Sequence, residues 1–325
     1  MQPIEIRVSE RTYKTNIKTS WNELNFDELN HVISLLQSPK PHFLEAKTHL
    51  ALLKLNLFTA LTQSKTFPTS DILLEWQSVI AGNEEQRLAF LVQLKTVLDE
   101  SLAFLFTTIR RFGKDVEVIS PDLTRNPMPK LLIPVKAKSQ TLKTLYPPSV
   151  GKNMKQLNVI GSDIFANMTI YELGTSFGLY EQWVETNSDD TLNALIATIY
   201  REKKPTTKEN AAKNYGGDVR LPYRGYEATV NQRKDMIARN TPLYIKNMIA
   251  FWFGCCRHHF AATYPSVFSG SDGDTNEYGY AGIILELSRS TNSSKNDIAD
   301  QNAHSTMVEL MYEMDRAKAV PPTNE

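Results

Sequence analysis

The sequence predicts a mainly α (α+β) fold: a helical bundle-like core with a small N-terminal β-hairpin and a few short central strands. Three observations predict it. Apolar residues recur at helical spacing over 83–112, 168–201 and 243–262. Apolar and polar residues alternate with period two near the N-terminus. Two short aliphatic runs, Val116–Ile119 and Leu131–Val135, stand between proline-containing turns.

In order, Ile4, Ile6 and Val8 alternate with Glu5 and Arg7, and Tyr13, Thr15 and Ile17 repeat the pattern after Ser9-Glu10-Arg11, which predicts a hairpin. Ser20-Trp21-Asn22-Glu23 fits a capping box, in which the serine hydroxyl takes an orphan amide and the glutamate reaches back. Leu24, Leu29, Val32, Ile33 and Leu36 then form a helical stripe that Pro39 and Pro41 end. Residues 42–62 are apolar on most sides and read as a buried helix, and Ser70 or Asp71 caps a shorter one. The longest helix is expected over 83–112, with Arg110 and Arg111 complementing its C-terminal dipole and Gly113 as its stop. Residues 115–150, with short strands, Pro147-Pro148 and lysines 136, 138 and 143, read as a connector. The chain accordingly divides into 1–135, hairpin plus helical subdomain, and 136–325, a second helical subdomain.

Thr169-Ile170-Tyr171-Glu172 is a further capping box, opening a helix through about Val184. The turn 187–190 leads into a partner helix, 189–201. An irregular basic segment, 202–225, contains Pro205, Gly216, Gly217, Pro222 and Gly225. Helix 228–239 follows. Thr241-Pro242 then supplies an N-cap and a first-turn proline for the strongly apolar helix 243–262, which Pro265 closes. Residues 269–280 read as a polar loop, 281–289 as a short apolar element, 290–303 as polar, and 304–318 as a last helix with Met307, Leu310, Met311 and Met314.

Composition bounds the function. Lys+Arg and Asp+Glu each number 36, so no global field draws the chain to nucleic acid or an anionic membrane. A hydrophobic share of 41% is enough for a packed globule rather than a disordered chain. The only cysteines, Cys255 and Cys256, are adjacent and unsuited to bridging each other, which favours a reducing compartment. The N-terminal residues lack a signal-peptide core, and the greasiest run, Met248–Cys256, is too short to span a bilayer. A soluble protein is expected.

Candidate chemistry is thin. Cys255 and His259, four apart on a helix, could sit on one face as two metal ligands or as a thiol and its base. A structural zinc site wants four ligands, however, and burial beside Phe251-Trp252-Phe253 opposes an activated thiol. Core packing is the favoured reading, and no metal or cofactor is assigned. Asp272-Gly273-Asp274-Thr275-Asn276 begins like a calcium loop, but Glu277 stands where glycine belongs and Ile283 where glutamate belongs. The basic segment interleaves Arg201, Lys203, Lys204, Lys208, Lys213, Arg220 and Arg224 with Tyr215, Tyr223 and Tyr226. Charge plus stacking is the chemistry of single-strand binding, although a flexible solvated loop, or one that docks on a protein partner, is the favoured reading. P-loop, GxSxG, GxGxxG and HExxH patterns do not occur.

The order of these features resembles a family encoded in the tail-gene neighbourhoods of Bacteroidetes phages and prophages. The segments that carry it are Thr19–Leu24 after the strand pair, Ile160-Gly161-Ser162-Asp163, Asn167–Glu172, Leu192–Arg201, Arg220-Leu221-Pro222-Tyr223, Phe251–Phe253, Tyr264–Phe268 and Met307–Asp315. The resemblance covers about half of the residues and leaves 40–155 unmatched. It implies a non-enzymatic role in the host cytoplasm: a tail assembly chaperone-like factor that masks another tail protein, such as the tape measure, through apolar helical surface. A structural component of the virion tail or connector is the alternative, and a nucleic-acid-binding protein using 201–225 a second. Met307, Met311 and Met314 are the candidates for an adaptable contact face, although their helical spacing favours plain core, with Arg220, Tyr223 and Arg224 as further partner-binding candidates.

Overall fold

The fold is taken from a computed structural model. The structure describes residues 2–8, 11–18, 20–36, 95–111, 114–123, 131–133, 143–146, 164–203, 220–223, 228–268, 287–291 and 293–319, with isolated positions between 53 and 61 and at 92, 148, 225 and 284. The described residues are mostly helical with small antiparallel sheets, as the sequence predicts. The chain divides into two compact units, Met1–Leu123 and Thr124–Glu325.

In the first unit, strands β1 (Gln2–Val8) and β2 (Arg11–Ile17) form the expected hairpin, in the register Ile4↔Thr15 and Ile6↔Tyr13. Ser20 does cap, accepting from the Asn22 amide, but what it opens is a single 3₁₀ turn, Trp21–Glu23. The capping box proper lies five residues on. Asn25 Oδ1 accepts from the Glu28 amide at 3.0 Å, and the Asn25 amide donates to Glu28 Oε2 at 2.7 Å, opening α1 (Phe26–Leu36). Leu29, Val32 and Ile33 of α1 are buried, and so are Trp21, Leu24, Leu98, Leu102 and Leu105.

The long helix expected over 83–112 is overturned at its C-terminal end. Residues 95–101 are helical, but Ala103–Leu105 tighten to a 3₁₀ turn and Phe106–Arg111 is strand β3. It pairs antiparallel with β4 (Lys114–Ile119), with Arg111 opposite Lys114 and Ile109 opposite Val116. Arg110 and Arg111 are therefore ladder residues, and the dipole role expected of them does not arise. The β-branched run Thr107-Thr108-Ile109 suits a pleated strand better than a helix. Lys54 donates to Asp99 and Glu117, both at 2.7 Å, with its ammonium 5.2 Å from the centre of the Phe106 ring. Burial acts to lower the Lys54 pKa, but the two carboxylates outweigh it and hold the pKa above its ordinary value. The expected helix at 70–80 lies outside the described residues, as does most of 42–62.

In the second unit, Thr169 accepts from the Glu172 amide at 3.2 Å and caps α2 (Ile170–Thr186). Asn187, left-handed at φ 50°, ends it, and Ser188 caps α3 (Asp189–Ile199). The expected helix–turn–helix is thus present. After β7 (Arg201–Glu202), the chain returns at Arg220 and enters α4 (Ala228–Asn240). α3 packs between α2 and α4 and reaches α5 (Leu243–Thr263). Pro242, rather than Thr241, is the cap residue of α5. Pro265 does not simply close that helix but opens the one-turn α6 (Pro265–Phe268). Inside the region expected to be polar lies α7 (Lys295–Ala299), and the chain's last helix is α8 (Ala303–Ala319). Strands β5 (Leu131–Ile133) and β6 (Lys143–Tyr146) join β7 in an antiparallel sheet of order β5-β6-β7; β6 falls in the segment read as a connector.

The core of this unit is aromatic. Phe165 lies 5.2–6.4 Å, ring centre to ring centre, from Phe177, Trp252, Phe253 and Phe260. Its backbone is left-handed at φ 58°, a conformation that costs a bulky residue about 1–3 kcal/mol. The turn persists because α8 holds it on both sides of Phe165. Asn302 Nδ2 donates to the Ala166 carbonyl at 2.6 Å, and His304 Nε2 lies 2.6 Å from that of Ile164. Ala303 N–H donates to Met168 O at 2.9 Å and Ile170 N–H to Gln301 O at 3.0 Å, so the starts of α2 and α8 are stitched together.

Candidate functional site

The polar centre of the second unit gathers segments far apart in the chain around one carboxylate. Glu172 sits in the first turn of α2, where a capping box would send its side chain back to the helix start. It turns inward instead. Arg201 Nη2 donates to its Oε2 at 2.9 Å. Arg220 Nη1 donates to Oε1 at 2.8 Å, and Arg220 Nη2 to Oε2 at 3.3 Å. Arg220 also donates to the carbonyls of Ile199 at 2.8 Å and Asn167 at 3.2 Å. The three side chains are no more than 1% exposed.

A third guanidinium completes the cluster. From α4, Arg233 donates to Ala197 O at 2.9 Å, Thr229 Oγ1 at 2.7 Å and Glu202 Oε2 at 3.2 Å. Burial pulls its pKa down, and Glu202 opposes that pull. The Arg201 guanidinium lies 5.9 Å from the Tyr223 ring, which in turn lies 5.7 Å from that of Tyr171. Lys203 bridges Arg220 across an antiparallel step, and Leu221 N–H donates to Glu202 O at 2.8 Å. Both ends of the basic segment therefore close on Glu172.

This geometry corrects part of the expected partner face. Arg220 is fully buried and Tyr223 nearly so. Their charge and ring are spent inside the fold and are not offered to a partner. Arg224 and residues 204–219 lie outside the described residues. Among the methionines, Met307 is core at 0% exposure, while Met311 and Met314 are half-buried. The outward face of α8 belongs to residues the sequence reading passed over: Val308, 53% exposed, and Tyr312, 67% exposed, one helical turn apart. Only the alternation of Met307 with Val308 and Met311 with Tyr312 on the wheel could have revealed them. Val184 near the end of α2, and Leu243 and Tyr244 at the start of α5, are exposed too.

Cys255 and Cys256 are free and buried. Burial, reinforced by Cys255, pushes the Cys256 thiol well above its ordinary pKa, against thiolate chemistry. Among the described residues no three His, Cys, Asp or Glu side chains gather as metal ligands would. Residues 272–276 lie outside the described set. Among the described residues, no helix is long and apolar enough to cross a membrane. No protein-family model, curated protein or solved structure matches the chain.

Proposed function

We propose that this chain is a non-enzymatic phage morphogenesis protein, a tail assembly chaperone-like factor that holds another tail protein against apolar helical surface. Two things support the reading. The first is the sequence resemblance. Its separate segments, Asn167–Glu172, Leu192–Arg201 and Arg220–Tyr223, meet around Glu172 in one buried cluster of this chain. The second, which carries the contact itself, is the outward pair Val308 and Tyr312 on α8. An aromatic and a β-branched residue at i and i+4 make the kind of anchor that a groove or helix of a partner covers. Half-buried Met311 lies beside them as adaptable surface.

The nucleic-acid reading is weakened, because two cations counted in its favour, Arg201 and Arg220, are buried and turned inward to share the Glu172 carboxylate. Co-expression with the tape-measure protein tests the proposal. The wild-type chain is expected to raise the soluble fraction of that protein and to co-purify with it, and the double variant V308K/Y312K to do neither. Unchanged tape-measure solubility with and without the wild-type chain would remove the basis of the proposal. Stoichiometric recovery of the chain from purified particles would transfer the assignment to a structural tail component.

A further inference from the structure

His304 lies in the first turn of α8, 2% exposed, with both ring nitrogens engaged. Nε2 is 2.6 Å from the Ile164 carbonyl oxygen, which can only accept, so Nε2 carries the proton. Nδ1 of the neutral ring is then an acceptor, and the Tyr264 hydroxyl, 2.6 Å away, donates to it. One imidazole thus joins the strained 164–168 turn, the end of α5 and the start of α8.

Within this junction the atom open to acid is Nδ1. A proton there reverses the bond to Tyr264, whose hydroxyl must turn its hydrogen away and accept instead. The new charge sits in a buried site at the positive end of the α8 dipole. The Phe260 ring, centred 4.9 Å away, offsets part of that by cation–π attraction. No carboxylate does so among the described neighbours. Tyr264 is the titratable group facing from α5, α6 contributes Pro265 to Phe268, and Glu172 of α2 is engaged by Arg201 and Arg220. Asp300, just before α8, is exposed.

We propose that His304 is an acid-sensitive latch: protonation at Nδ1 places a charge, with no counter-charge among the described neighbours, in a buried site and favours opening of the contact between the start of α8 and the 164–168 turn. Burial holds the His304 pKa below its ordinary 6.5, with the Ile164 hydrogen bond working the other way. A depressed folded pKa means that the latch is closed above about 6.5 and opens as the pH falls from there through the folded value. The Phe165 strain is then no longer held on its Ile164 side, which favours local opening.

Amide hydrogen exchange on the full chain at pH 7.5 and 5.5, corrected for intrinsic rates, tests the latch. Protection at residues 303–308 is expected to fall relative to α3 by up to about tenfold per pH unit within the window. In His304→Gln, which can still donate to Ile164 O and cannot titrate, the ratio is expected to stay constant. Parallel loss at α8 and α3 in the wild type, or the same selective loss in the variant, would overturn the proposal. Should the variant not fold, ¹⁵N imidazole spectra of the wild type decide. Protonation of His304 must coincide with shifts at 164–168 and 303–308, and titration without them sinks the latch.

Discussion

Removing the Glu172 carboxylate is the sharpest perturbation of the second unit. Glu172→Ala deletes three charge-assisted hydrogen bonds and takes a carboxylate away from two guanidinium groups, each no more than 1% exposed. Arg220 keeps the Ile199 and Asn167 carbonyls, which soften its loss. Breaking a buried pair from one side typically costs about 3–5 kcal/mol. For a unit the size of Thr124–Glu325, a shift of roughly 2–4 °C per kcal/mol makes this about 6–20 °C in Tm. Glu172→Gln keeps the shape and one acceptor oxygen, so its loss is expected to be smaller. Urea unfolding followed by circular dichroism, with exchange at α3 amides to assign the transition to this unit, gives the number. A loss below about 1 kcal/mol for Glu172→Ala would mean that the guanidinium groups reach water, and the reasoning from burial would fail.

Three further outcomes follow from the packing. A Cβ at Gly254 would lie 2.2 Å from the Tyr180 hydroxyl oxygen and 2.9 Å from its ring carbon, and that ring is packed on Trp183 and Phe253. Gly254→Ala is therefore expected to cost about 1–3 kcal/mol by overpacking, measured as a lower urea midpoint; an unchanged midpoint would show that the ring moves freely. Asn25→Ala removes the side-chain acceptor of the Asn25–Glu28 box and is expected to cost about 1 kcal/mol in the first unit, visible as faster exchange at the start of α1. Met307→Ala empties a fully buried site and is expected to cost about 2–5 kcal/mol, whereas Val308→Lys is expected to change stability by no more than about 0.5 kcal/mol; thermal melts of the two variants compare the faces of α8 directly.

Local signals made much of this architecture legible. Period-two alternation placed β1 and β2, and Thr169 and the turn 187–190 marked the start of α2 and its junction with α3, because caps and turns act locally and leave their residue types in the sequence. Errors arose where two local readings competed. Leu102, Leu105 and Phe106 continue the spacing of the preceding helix, and that stripe hid the β-branched run of β3, whose partner strand β4 follows after only two intervening residues. Ser20 offered a cap and does take one amide, but the box that opens α1 forms between Asn25 and Glu28.

The site was harder to read than the fold. Thr169-x-x-Glu172 has the form of a capping box, and the threonine behaves as one, but tertiary structure diverts the glutamate to Arg201 and Arg220, 29 and 48 residues away. Nothing local separates an arginine bound for a buried carboxylate from one bound for solvent, so the basic segment looked like surface. The α8 face was missed for a related reason. Helical spacing shows that a stripe exists, but which of Met307 and Val308 forms its inner edge is set by the tertiary packing of α2 and α6 against α8.

The proposed mode of action is apolar helical contact, with α8 as the outward face. Binding of purified wild-type chain and of V308K/Y312K to the tape-measure protein, by titration calorimetry at matched folding, tests it most directly. The account predicts a measurable complex for the wild type and at least about thirtyfold weaker binding for the double variant, as loss of an interfacial aromatic anchor worth about 2 kcal/mol or more implies. Equal affinity for the two proteins, or no complex with the wild type, would contradict it.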